Sequence, residues 1–396
     1  MKQQTHRLRF RGCTCCVEMP ALPPQRRALP VREDSLNSAW SWRRTGGHFA
    51  GPGDDAGGSA SRRPVFAADA GAGPVPSAQS GSGTMAAAKP HRIDTHHHIA
   101  PPKFVDEMRS LLQPPTLAWT IEKSLEDMDR AGVATSITSI TTPGVWIGDH
   151  TQGRRVAREC NDYAARLVVD YPGRFGMFAA LPLPDIEASL REIEYGLDTL
   201  KADGISLFTS YRDKWLGDPA FEPVMAELNR RKALVYTHPT AANCCVNLAP
   251  TQPPVMIEFG TDTTRTVADI VFSGNARRFP DIRWIFSHAG GTMPFLIERF
   301  VRNPLLDPKA MAAVPDGTLA ELKRFYYDTA QTSNKAAMSA LVANIPPSQI
   351  VFGTDFPYRT GIDHVKGLRE AGVFTDEQIV SIERGNALKL IPRLAS

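Results

Sequence analysis

Residues 92–101 read RIDTHHHIAP, three consecutive histidines directly after a short apolar run. Further along, single residues of metal-binding or proton-transfer type end other short apolar runs: His238 in "YTHPT", His288 in "FSHAGG" and Asp355 in "VFGTDFPY". On an extended backbone alternate side chains share a face, so His96 and His98 point one way and His97 the other. Two imidazoles on one face, joined by His238 and Asp355, give three nitrogens and one oxygen. Such a set suits one divalent cation with an open position. Taken singly each residue has a plainer reading, with "THP" a strand-end histidine bonded to backbone, "SHAGG" a turn and "GTDFP" a helix cap. Their recurrence at matching ends of a periodic pattern makes them one site.

The elements that must position these groups can be read from the pattern. Eight apolar runs occur, at 91–96, 134–140, 174–181, 203–209, 232–238, 281–288, 324–329 and 349–355. Between them lie segments such as "TIEKSLEDMDRAG" and "DIEASLREIEYGLDTLKADG", with Leu and Ile three and four apart and a closing Gly that the pattern predicts as the helix stop. Strands alternating with helices imply parallel pairing and right-handed crossovers. Eight units, with no GxGxxG or GxxxxGK[ST] loop after the first run, favour an α/β fold of the (β/α)8 TIM-type barrel over an open sheet. In such a barrel the reacting groups sit at the C-terminal ends of the strands, where His96, His98, His238, His288 and Asp355 fall.

Composition narrows the function. Residues 1–84 are rich in Gly, Ser, Ala and Pro without sustained periodicity, which predicts a disordered low-complexity extension before a barrel unit at 85–396. Met85 offers a second start for the chain. A net charge of +3 is too weak to call for nucleic acid or a membrane surface, and no apolar window approaches the roughly 18 residues of a membrane helix. A cytoplasmic protein with a small-molecule ligand is expected. The six cysteines are not spaced as a disulfide framework or a zinc knuckle, and vicinal Cys244 and Cys245 read as packing or loop chemistry. Trp119, Trp146, Phe208 and Phe356 stand near the expected mouth, open to a role in ring stacking or in the core.

The motifs "IDTHHHIAPP", "YTHPT", "FSHAGG" with "PFLIERF", "VFGTDFPY" and "IERGNALKLI", in that order, resemble the amidohydrolase-related decarboxylases typified by aminocarboxymuconate semialdehyde decarboxylase. The resemblance spans about residues 91–393, and "PGRFGMFAALPLPD", "DGISLFTSY" and "THPT" followed by a Cys pair are most similar to its 6-methylsalicylate decarboxylase branch. It implies a metal held by His96, His98, His238 and Asp355, with His288 beside it as acid/base. It also implies a homodimer in which Arg299, eleven residues beyond that histidine, reaches a substrate carboxylate across the interface. The fourth run, "ISLFTSY", lacks the lysine of binuclear members, so one metal is expected: zinc suits the nitrogen-rich set better than manganese. No clear counterpart of a further substrate-binding arginine lies between the first two runs, Arg109 reading as solvated, so a monocarboxylic aromatic acid is the expected substrate. The implied reaction is non-oxidative decarboxylation of a 2-hydroxybenzoate type of acid, 6-methylsalicylate among them. Asp355 would serve as both ligand and proton donor, and His288 would position the leaving carboxylate. The same donors would also serve a hydrolase that attacks a lactone, ester or amide with hydroxide.

Overall fold

The computed structural model describes residues 91–395; the expected disordered extension at 1–84, the start of the expected barrel unit and Cys13, Cys15 and Cys16 lie outside them. Eight parallel strands form one sheet in sequence order: β1 (Arg92–Ile99), β2 (Val133–Ile140), β3 (Phe175–Ala180), β4 (Gly204–Phe208), β5 (Leu234–His238), β6 (Arg283–Phe286), β7 (Tyr326–Asp328) and β8 (Ile350–Val351). Each corresponds to one of the eight apolar runs. The sheet closes where β1 meets the segment after β8. There Thr95 N–H donates to the Phe352 carbonyl at 2.9 Å, His98 N–H to that of Phe356 at 2.8 Å, and His97 pairs with Phe356. The result is a TIM-type barrel, whose seam sets Asp355 beside His96: the Asp355 N–H donates to the His96 carbonyl at 2.8 Å.

The interior is packed rather than open. Ile93, Ile137, Phe178, Leu234, Ile285 and Val351 point inward from six strands and meet Ala387, Leu390 and Ile391 of the C-terminal segment. Apolar side chains therefore fill the barrel axis beneath the polar groups at the other end.

Helices α1 (Ile121–Ala131), α2 (His150–Asp170), α3 (Ile186–Glu194), α4 (Glu222–Arg230), α5 (Glu258–Phe272), α6 (Ile297–Leu306), α7 (Lys335–Val342) and α8 (Gly361–Glu370) cover the outside. The Thr120 hydroxyl caps α1 by accepting the Lys123 N–H, and Gly132 stops it at φ 65°, as the pattern predicts. Gly204 departs from that prediction. α3 instead runs into a π turn at Tyr195–Thr199, and Lys201 takes the left-handed φ of 57°. Gly204 opens β4, where a Cβ would lie 2.3 Å from the Leu234 carbonyl oxygen, so the glycine serves close strand approach rather than helix termination. No helix among the described residues is long and apolar enough to cross a membrane.

Candidate metal centre

Five of the six predicted site residues come together at the C-terminal mouth. His96 and His98 share the inward face of β1, His238 ends β5, and His288 and Asp355 follow β6 and β8. One ligand atom from each of His96, His238, His288 and Asp355 falls within 4.8 Å of all the others. His98 joins them, its Nε2 3.1 Å from both His96 Nε2 and Asp355 Oδ1. The His96 Nε2 to Asp355 Oδ1 distance is 3.2 Å. Donors about 2.1 Å from a shared ion stand about 3.0–3.4 Å apart, so these spacings are those of a coordination shell.

Three of the four imidazoles are oriented from behind. Nδ1 of His96 faces Asp328 Oδ2 at 2.8 Å, Nδ1 of His98 faces Ser139 Oγ at 3.1 Å, and Nδ1 of His238 donates to the Pro239 carbonyl at 2.8 Å. The Pro239 carbonyl can only accept, so the proton of neutral His238 resides on Nδ1 and the Nε2 lone pair faces the centre. His97 turns away, between Asp94 and Ser124, and stacks on Phe356 at 4.8 Å. The middle histidine thus supports the seam.

The electrostatics ask for positive charge at the centre. Burial opposes protonation of His96, yet Asp328 and Asp355 outweigh it and lift its pKa to about 10. Burial dominates at His98, pushed down to about 4, and holds His238 well below the ordinary imidazole value. Burial disfavours the Asp355 carboxylate, but the charge on His96 holds the group well below the usual range. Asp355 therefore stands ionised. Its Oδ2 accepts from Gln331 Nε2 at 2.9 Å, while buried Oδ1, facing His96 and His98, has no hydrogen-bond donor. A carboxylate oxygen facing imidazole nitrogens, one of which must lose its proton, fits a divalent cation.

The backbone at the rim is strained. His288, Gln331 and Asp355 all have left-handed φ, at 53°, 58° and 60°. Non-glycine residues hold that conformation where surroundings fix it, as Asp328 Oδ1 does by accepting the His288 and Ala330 N–H groups at 2.8 and 3.0 Å. Asp328, Ser139 and Gln331, which contact His96, His98 and Asp355, are neighbours of the site that the sequence reading missed. The signal for Asp328 was present, since "RFYYDT" ends on an acid like the other strand ends.

Arg299 is not drawn in. It lies exposed on α6, in a stretch of chain where Phe295, Leu305 and Leu306 are exposed too. Arg109 is exposed beside Asp106, as expected. Trp119 is buried and donates to Ser124, whereas Trp146 and Phe208 line a cavity at the mouth. Cys160 is buried, and the Cys244 thiol, hydrogen-bonded to Cys245, is pushed up to about 11, away from thiolate chemistry.

Comparison with known proteins gives the chain its family. The family model described as "Amidohydrolase" matches residues 93–393. The chain is 39% identical over 323 residues to "Decarboxylase yanB" of Aspergillus niger, covering 76% of this chain and 88% of that protein. It is 37% identical over 318 residues to "6-methylsalicylic acid decarboxylase acuB" of Aspergillus aculeatus, covering 76% and 96%. The crystal structure of 2,6-dihydroxybenzoate decarboxylase complexed with 2,6-dihydroxybenzoate shares the fold, with a TM-score of 0.69 at 22% identity over 76% of this chain and 99% of that one. The chain belongs to the amidohydrolase family, and within it to the carboxy-lyases.

Proposed function

We propose that the protein is a metal-dependent, non-oxidative decarboxylase of a small aromatic acid of the 2-hydroxybenzoate type, with 6-methylsalicylate as the first candidate. One observation carries the reading: donors from four strand ends converge on the orphaned Asp355 Oδ1 beside a ring-sized cavity, in a chain whose relatives bear decarboxylase names. His96, His98, His238 and Asp355 would hold the cation, for which zinc suits three imidazoles and a carboxylate. When bound, it supplies Lewis-acid polarisation of the carboxylate and the ortho oxygen.

The side chains manage the proton. Decarboxylation adds a proton to the ring carbon that bears the carboxylate and then breaks the bond to that group. Carbon dioxide leaves, and the bonding electrons restore the aromatic ring. His288 Nε2 lies 3.4 Å from Asp355 Oδ2, one small movement from a hydrogen bond, and the two can share a proton. Because Asp355 is held ionised, it gives a proton only after receiving one, and His288 is the neighbour that brings it.

We further propose a homodimer in which Arg299 reaches the partner's substrate, and a cytoplasmic setting. The exposed apolar groups around Arg299 support the first. The test of the reaction is incubation of metal-assayed protein with carboxyl-labelled hydroxybenzoates in deuterated water. Labelled carbon dioxide and one ring deuterium per turnover are expected. Ester or lactone cleavage without gas release would overturn the assignment.

A further inference from the structure

The loop after β4 carries a hairpin in which Ser210 pairs with Trp215 and Tyr211 with Lys214. Arg212 and Asp213 are its two central residues, with φ of 50° and 57°. Two-residue turns with positive φ at both positions are ordinarily built from Asn-Gly or Asp-Gly, where glycine adopts the left-handed region freely. Here a long cationic side chain stands in that place. The turn is fixed from below by buried Asp262, which accepts from Thr209 Oγ1 at 2.5 Å, Ser210 Oγ at 2.9 Å and Trp215 Nε1 at 2.7 Å. The Tyr211 hydroxyl accepts the Phe208 N–H at 2.9 Å. A rigid base thus holds an unfavourable tip.

The Arg212 guanidinium lies 4.6 Å from the centre of the Trp146 ring, and no carboxylate pairs with it among the described residues. Both side chains line a cavity of about 150 Å³, together with apolar Leu181, Leu183 and Phe208 and polar Asp213 and Asn243. By volume such a cavity is large enough for one benzene ring. The Phe208 ring is 5.9 Å from that of His238, so the cavity begins one side chain away from the metal centre. The apolar side chains in this lining suit the ring, and a planar guanidinium among them suits two oxygens.

We propose that Arg212 reads an oxyanionic substituent on the ring, remote from the reacting carboxylate, so that the site also accepts 2-hydroxybenzoates carrying a second acidic group and holds them more tightly than those without one. This rests on the decarboxylase reading for its reaction but not for its binding, and it widens the range of acids beyond the expected monocarboxylic one. The probes are salicylate and salicylate bearing a second carboxylate at ring position 5, titrated calorimetrically into metal-loaded protein. The dicarboxylate binds about ten- to a hundredfold tighter to the wild type. Arg212→Gly, which places the residue that such a turn prefers and so keeps the fold, abolishes that preference and leaves salicylate binding unchanged. Arg212→Lys keeps part of it. Equal binding of both acids by the wild type, or a preference that survives Arg212→Gly, overturns the proposal. If the preference appears but no acid releases carbon dioxide, the decarboxylase reading fails and the subsite stands.

Discussion

Asp328 Oδ2 lies 2.8 Å from His96 Nδ1, a contact between residues 232 positions apart in the chain. The carboxylate makes His96 a stronger base and fixes the direction of its Nε2. Asp328→Asn removes the charge and keeps the shape. Metal affinity should fall about 10- to 100-fold while the barrel still folds, as read by competition with a chromophoric chelator. An unchanged affinity would show that His96 needs no tuning.

His288 shares the centre without a place in the expected ligand set. His288→Ala should keep its metal through dialysis yet lose about 10²- to 10⁴-fold in kcat, the usual range for a proton-transfer group. Metal content by mass spectrometry beside the turnover assay separates the roles. Loss of metal would make His288 a ligand.

Protons and metal compete at His96. With its pKa at about 10, this imidazole must give up its proton when a cation binds, so binding between pH 7 and 9 should release about one proton and tighten as pH rises. Calorimetry in buffers of different ionisation enthalpy counts that proton.

Without metal, the raised pKa of His96 stabilises the fold below pH 6.5, and this contribution fades as pH climbs toward 10. His98 acts in the opposite sense, as does His364, which burial and nearby Arg359 also push to about 4. The unfolded chain binds more protons than the native one between pH 6.5 and 4, so stability should drop through that window. The slope is about 1.4 kcal/mol per pH unit for each histidine. Urea titrations of chelator-treated protein at pH 7, 6 and 5 give it directly, and a flat profile would contradict the burial argument.

Gly204 marks a limit of the pattern. Gly204→Ala should destabilise by about 1–3 kcal/mol or more, because its Cβ would press on the Leu234 carbonyl and part β4 from β5. A helix-stop role would instead predict a shift of a few tenths.

The proposed dimer is tested on α6 and the turn before it. Phe295, Leu305 and Leu306 are 85%, 73% and 75% exposed on the single chain. Phe295→Asp with Leu305→Asp should yield monomers in sedimentation, whereas Arg299→Ala should leave dimers with a raised KM. A dimer that survives the double substitution places the interface elsewhere.

The legible part of the molecule was what local chemistry writes down. All eight strands showed as apolar runs, and His96, His98, His238, His288 and Asp355 showed because a barrel gathers its strand ends in one place. Asp328 and Gln331 were hidden because their roles exist only through His96 and Asp355, whose proximity no periodicity encodes. Gly204 was misread because glycine's two uses, freeing a backbone angle and making room for a neighbour, look alike until that neighbour is in place. The pairing of His97 with Phe356 was equally silent, as it depends on how the last strand returns to the first.

That seam carries a consequence for biosynthesis. His96 and His98 emerge early from the ribosome, but their fourth companion, Asp355, comes more than 250 residues later and is seated only when the barrel shuts. A truncated or half-made chain therefore cannot assemble the full donor set, and completion of the fold is what licenses the chemistry.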